Sequence, residues 1–210
     1  MKIALLGASG ATGREVMKQA LSAGDEVRAV VRTPGSIQPA ERLAVVEAKL
    51  GDKAKLAEAF TGADAVVSAL GVSERTPDEP PSSALPEIVA AMREAKVKRF
   101  VGVSCGALAF TGDDQDLPGK IASALLRFSR KPLLEDKQRE LDSLTLTDFQ
   151  WTLVRAARLV DGPVTGQYQV SLKRLRGRTV SRADVAHFAL SVVRERSYLQ
   201  AAPFLSAPAS

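Results

Sequence analysis

Gly7-Ala8-Ser9-Gly10-Ala11-Thr12-Gly13 is the stretch that most narrows what this chain can fold into. It follows directly on the apolar run at 2–6 and leads into 12–23, where apolar residues recur at helical spacing. That order predicts a strand, a tight glycine turn and a helix in immediate succession. Each glycine then has a reason. Gly7 lets the chain turn sharply out of the strand, Gly10 lets main chain approach a ligand with no side chain between, and Gly13 lets the helix pack on the sheet. The amides of Ser9, Gly10, Ala11, Thr12 and Gly13, together with the helix dipole, supply an anion site suited to a diphosphate.

The same rhythm continues along the chain. Strands are predicted over 26–31, 43–47, 65–69, 99–104 and 151–154, and helices over 53–60, 83–95, 119–129 and 132–144. Buried β-branched runs alternating with helices imply a mainly parallel sheet covered on both faces, the doubly wound α/β arrangement of Rossmann type. The length suits a single domain over 1–210, with a small C-terminal substrate-side region from about residue 156 to 210. Two stretches break the rhythm, 72–82 and 106–118. Both follow strand C-termini, where open parallel sheets bind ligands, although ordinary surface loops would look the same. Towards the end, Ser181-Arg182-Ala183-Asp184 reads as a helix N-cap followed by an apolar face of Val185, Phe188, Ala189, Val192 and Val193. His187 falls just outside that face and reads as structural.

Composition removes several classes of function. Hydrophobic residues make up 45% and charged residues 25%, an ordinary globular mixture. The 29 basic and 24 acidic residues leave a charge of +5, with one late cluster at Lys173, Arg174, Arg176 and Arg178. A solvated strip is the simpler reading of that cluster, and phosphate contact the sharper one. With 5% aromatics and no recognisable module, nucleic acid is not expected as a partner. One cysteine, Cys105, allows no internal disulfide, and one histidine, His187, leaves no set of metal ligands, so no metal is expected. The apolar run at the start is short and flows into the glycine turn, unlike a signal peptide, and no stretch approaches the ~20 apolar residues of a membrane helix. The expected compartment is the cytoplasm, with no membrane partner.

Further residues fall into place around a nucleotide. The second strand ends at Arg32, where an enzyme preferring NAD would usually carry an acid, and a guanidinium there can fork onto a 2′-phosphate, so NADP(H) is the expected cofactor. Asp52 suits either the adenine amino group or the cap of the next helix. Ala69-Leu70-Gly71 is small enough to pass beneath the cofactor. Ser104 ends the fifth strand and can reach substrate or nicotinamide, or satisfy local backbone. Lys137 lies in the apolar arc formed with Leu133, Leu141 and Leu144, where it either holds the ribose hydroxyls or snorkels to water. Cys105 reads as packing, since no histidine stands in context to activate it.

With these residues in hand, the chain resembles the atypical short-chain dehydrogenase/reductases, in the NmrA-like and flavin reductase (biliverdin reductase B)-like group. The likeness rests on Gly7–Gly13, Val30-Val31-Arg32, Leu50-Gly51-Asp52, Ser68-Ala69-Leu70-Gly71, Arg99-Phe100-Val101-Gly102-Val103-Ser104 and Arg182-Ala183-Asp184-Val185-Ala186, and spans nearly the whole chain. In standard members a serine ends the fifth strand and a tyrosine stands four residues before a lysine. The resemblance therefore makes Ser104 and Lys137 the catalytic candidates, while Leu133 occupies the tyrosine position. It also implies that the stretch Arg155-Ala156-Ala157 runs beneath the nicotinamide, with Ala156 where the family has proline.

Without a phenol, carbonyl reduction and epimerisation lack a general acid worth about 10²–10⁴-fold in rate. A flavin, quinone or tetrapyrrole asks less, because it takes hydride at a conjugated centre and collects its proton from solvent. The expected function is NADPH-dependent reduction of a small planar acceptor. The alternative is a non-catalytic NADP(H) sensor of NmrA-like type acting on a protein partner, and sugar-nucleotide epimerisation ranks last.

Overall fold

The first strand, β1 (Lys2–Leu6), is buried from Ile3 onward on both faces, which places it in the middle of a covered sheet. The structure is a computed structural model describing residues 1–71, 81–114 and 131–208. The chain continues through α1 (Ala11–Ser22), β2 (Glu26–Val31), β3 (Leu43–Glu47), α2 (Lys53–Phe60), β4 (Ala65–Ser68) and α3 (Pro81–Glu94). Then come β5 (Arg99–Cys105), α4 (Lys131–Thr145), β6 (Gln150–Ala156), β7 (Arg158–Val160), β8 (Gln169–Ser171), β9 (Thr179–Ser181), α5 (Arg182–Arg194) and β10 (Phe204–Ser206). Eight strands form one sheet in the order β3-β2-β1-β4-β5-β6-β10-β8, and β7 and β9 make a separate parallel pair. Every pairing in the large sheet is parallel except β8 on β10. The strand order reverses at β1, whose neighbours are β2 on one side and β4 on the other.

Two apolar layers cover this single α/β domain. On one face Val16 and Ala20 of α1 and Val185, Phe188, Ala189 and Val192 of α5 pack over Ile3, Leu5, Val67 and Val101. On the other, Leu56 and Phe60 of α2, Leu85 and Ile88 of α3 and Leu141 and Leu144 of α4 pack over Ala4, Leu6, Val66 and Phe100. The alternation of faces along each strand explains why the sequence shows continuous apolar runs rather than a polar/apolar repeat.

Several predicted boundaries move, each for a physical reason. The third helix starts two residues earlier than read, because Pro81 suits the first helical position and the Ser82 amide finds a carboxylate, Asp136 Oδ1, at 3.1 Å. Ser82 therefore belongs to a helix and not to the predicted 72–82 loop. The sixth strand runs on through Arg155, a charge that ordinarily reads as a strand end. The four three-residue strands β7–β10 carry too few residues to show a period. The predicted helix at 119–129, residues 72–80 of the first predicted loop and residues 115–118 of the second lie outside the described residues. Among those described, no helix is long and apolar enough to cross a membrane.

Candidate functional site

Gly7 leaves β1 with φ of 74°, a left-handed conformation that glycine adopts without strain. A Cβ on Gly7 would stand 2.8 Å from the Ala69 carbonyl oxygen, and one on Gly13 would stand 2.1 Å from the Gly7 oxygen, so neither position admits a side chain. The turn is closed by Gly10 N–H donating to Gly7 O at 3.0 Å and braced by Arg14 Nε donating to Ser9 O at 3.0 Å. Gly10 caps α1 without any side chain reaching back, and the first turn carries no acid. Ser9, Gly10 and Ala11 are exposed while Thr12 and Gly13 are buried, so amides at a helix head face open space over a rigid floor.

The other predicted residues gather on the same rim, beyond the carboxyl ends of the strands. Arg32 is exposed immediately after β2. Asp52 caps α2, its Oδ1 accepting from the Lys55 amide at 3.1 Å. It also lines a cavity of about 570 Å³ bounded by Lys49, Leu50, Gly51, Lys53, Ser83 and Ala84. Ala69 N–H donates to Leu6 O at 3.0 Å, holding the end of β4 against the glycine turn, and Gly71 is exposed beyond it.

Lys137 does not snorkel. Its side chain is 5% exposed, and Nζ donates to the Leu70 carbonyl at 3.0 Å and to Glu140 Oε2 at 2.7 Å, with Glu140 3% exposed. The ammonium is thus held directly behind the segment that follows β4. Ser104, paired in register with Arg155, is buried, and its Oγ has no hydrogen-bond partner among the described residues. The alternative of a serine spent on local backbone is not what the chain does. An orphaned hydroxyl and a turn that admits no Cβ at Gly7 or Gly13 are features a dinucleotide would require of this rim.

Ala156 and Ala157 are buried, with the Ala156 carbonyl accepting from Gly106 N at 2.7 Å and the Ala157 amide donating to Leu205 O at 2.9 Å. Arg155 is a tether and a wholly buried one. It forks onto Asp113 at 2.6 and 2.7 Å, donates to Ala202 O at 2.7 Å and Leu108 O at 2.9 Å, and stacks 3.6 Å from the Phe204 ring centre. The loop after β5 is thereby fixed to the sheet. Sequence reading missed this pair, since Asp113 lies 42 residues away. It also missed Glu140, although its i,i+3 spacing from Lys137 was visible.

Both tyrosines pack on the α1/α5 layer. Tyr168 OH meets His187 Nδ1 at 2.8 Å on an exposed face of α5. Burial raises the Cys105 thiol pKa above its ordinary value, with backbone hydrogen bonds and the Lys137 charge pulling the other way. No group of three or more His, Cys, Asp or Glu among the described residues is arranged to hold a metal.

An open parallel sheet with its glycine turn at the point of strand-order reversal defines a Rossmann-type dinucleotide-binding protein. More specifically, the chain belongs to the NAD(P)H-binding family, whose model matches residues 7–196. It is 29% identical to YwnB of Bacillus subtilis over 172 residues, 80% of this chain and 78% of that protein. It shares its fold with a short-chain dehydrogenase/reductase from Veillonella parvula in complex with NADP, at a TM-score of 0.83 and 20% identity over 99% of this chain and 94% of that one. It also shares its fold with ChuY, an anaerobillin reductase of Escherichia coli O157:H7, at a TM-score of 0.81 and 20% identity over 99% and 98% of the two chains.

Proposed function

We propose that this chain is an NADPH-dependent oxidoreductase that reduces a small planar acceptor of flavin or quinone type. One observation carries the reading: the rim offers a dinucleotide cradle, and both tyrosines of the chain stand on the α1/α5 layer instead of beside Lys137. The NADP complex of the Veillonella protein and the reductase activity named for ChuY agree with it.

In this reading Gly7 and Gly10 shape the turn, the Gly10 N–H being given to Gly7 O, and Ser9, Ala11, Thr12 and Gly13 hold the diphosphate through main-chain amides. Arg32 takes the 2′-phosphate, and the free carboxylate oxygen of Asp52 accepts from the adenine. Ala69, Leu70 and Gly71 form the floor, and Lys137 presents its remaining N–H to the ribose. Ser104 donates to the nicotinamide or the acceptor, and Ala156 and Ala157 back the ring. Bound NADPH supplies the hydride. The chain's own residues contribute position and exclusion of water, and no side chain needs to deliver a proton that solvent can give a conjugated acceptor. A single cysteine and nicotinamide chemistry suit a cytoplasmic protein.

Thermal shifts with NADP and NAD test the cofactor assignment. NADP stabilises the wild type more, and Arg32→Glu lowers the preference by about tenfold to hundredfold in relative affinity, the worth of a charge-assisted contact. Equal stabilisation by NAD overturns the role of Arg32. A screen of NADPH oxidation with FMN, quinones and dicarbonyls tests the acceptor. Tight NADP binding with no turnover on any of them replaces the enzyme by the sensor and its protein partner.

A further inference from the structure

Residues 172–178 carry Leu172, Lys173, Arg174, Leu175, Arg176 and Arg178 in one loop between β8 and β9, and all six side chains are exposed. None of the four cations pairs with an acid among the described residues, whereas the neighbouring Arg182 is joined to Asp161 at 2.7 Å. The loop is nonetheless built into the rim. Its Lys173 carbonyl accepts from the Asp114 amide at 2.8 Å, which ties it to the segment that Arg155 fixes after β5. Lys173 and Arg174 amides donate to Ser171 Oγ at 3.2 and 3.3 Å. Gly177 N–H donates to Ser206 Oγ at 2.9 Å, and a Cβ there would lie 2.3 Å from the Ala207 oxygen, so the loop returns flush against the end of β10.

Leu175 Cδ2 lies 3.0 Å from the place a Cβ would take on Gly106, two residues past Ser104. Leu175 thus seats the loop at the carboxyl end of β5, two residues along the chain from the unpartnered Ser104 hydroxyl. Unpaired cations held over a ligand-binding rim concentrate anions there, and the leucines between them give a planar group an apolar resting place.

We infer that residues 172–178 form the subsite that receives the anionic group, phosphate or carboxylate, of the planar acceptor. Lys173, Arg174, Arg176 and Arg178 are its cations, and Leu172 and Leu175 its apolar surface. The inference rests on the reductase reading above and adds the charge class of the substrate.

Two matched probe pairs separate the sources of charge: FMN against riboflavin for phosphate, and biliverdin against its dimethyl ester for carboxylate. Binding is read by fluorescence quenching on the full chain with NADP present, and the NADP thermal shift is recorded separately. In at least one pair the anionic member binds about tenfold more tightly, and the advantage shrinks as salt rises. The triple variant Lys173→Gln/Arg174→Gln/Arg176→Gln removes that advantage, leaves the uncharged partner's affinity and the NADP shift in place, and is rescued by Arg174→Lys/Arg176→Lys. No preference in either pair, or a preference the triple variant keeps, overturns the inference. Sedimentation of the wild type but not the variant with phosphatidylglycerol vesicles, with acceptor preference unmoved, overturns it in favour of membrane docking. Failure of NADP to stabilise any form sinks the cofactor reading instead, and the two failures are read on different instruments.

Discussion

Lys137 and Glu140 show how much one side chain depends on another in this rim. Each is buried, and each is satisfied chiefly by the other, so deleting one leaves a buried charge without its counter-charge. Glu140→Leu is expected to cost about 3–5 kcal/mol in urea unfolding, and Lys137→Met a similar amount. The double variant Lys137→Met/Glu140→Leu should recover most of that loss, because no charge remains unpaired. Equal losses in single and double variants would show that the pair is not coupled. At this scale the glycine turn was legible, since strand, glycines and helix are contiguous. The ion pair was only half legible: a lysine on an apolar arc announces that it needs a partner, and the arc does not say which.

Among the elements, α5 matches its sequence signal closely. Ser181 Oγ accepts from the Asp184 amide at 2.9 Å, the predicted N-cap. Asp184 does more than begin the helix. Burial alone would raise its pKa, but the Thr165 hydroxyl at 2.8 Å and the Thr165 and Gly166 amides at 2.8 and 3.0 Å outweigh that, with Ser181 adding to them, and hold it below the ordinary carboxylate value. A depressed folded pKa gives stability that is present above the unfolded value, about 4, and lost as pH falls through the lower folded one. Asp184→Ala should therefore melt well below the wild type at neutral pH, by about 2 kcal/mol, and the gap should narrow in melts below about pH 4. A gap that is constant with pH would exclude the charge as its source. The strands were legible where β-branched residues run together and illegible at β7–β10, whose three-residue lengths owe everything to partners distant in sequence.

For the molecule as a whole, Arg155 is the joint between sheet and rim. It reaches the loop after β5 through Asp113 and Leu108 and the approach to β10 through Ala202 and Phe204. Arg155→Met should cost about 3 kcal/mol, with Asp113 left unpaired, and should expose residues 106–114 to limited proteolysis. Arg155→Lys should rescue little, because an ammonium can neither fork onto a carboxylate nor stack on a ring as guanidinium does. Wild-type protection of that loop in either variant would refute the joint. The doubly wound plan itself was legible from the βα rhythm, whereas this joint was not, because hydrophobic periodicity has no way to register a buried charge.

The opposite ends of the strands are tied down separately. Asp25 accepts from the Met1 amine at 2.8 Å and Arg194 at 2.6 Å, and Asp64 accepts from the Lys2 amide at 2.8 Å. Arg99, whose pKa burial and the nearby Arg196 charge lower to about 10, donates to Gln150, Val192 and Ser197 carbonyls at 2.7, 2.9 and 3.1 Å. The frame is thus secured at one end of the strands, and the glycine turn with its rim is built at the other. On the function proposed above, substitutions at that rim can alter what it receives while the frame that carries it stays as it is.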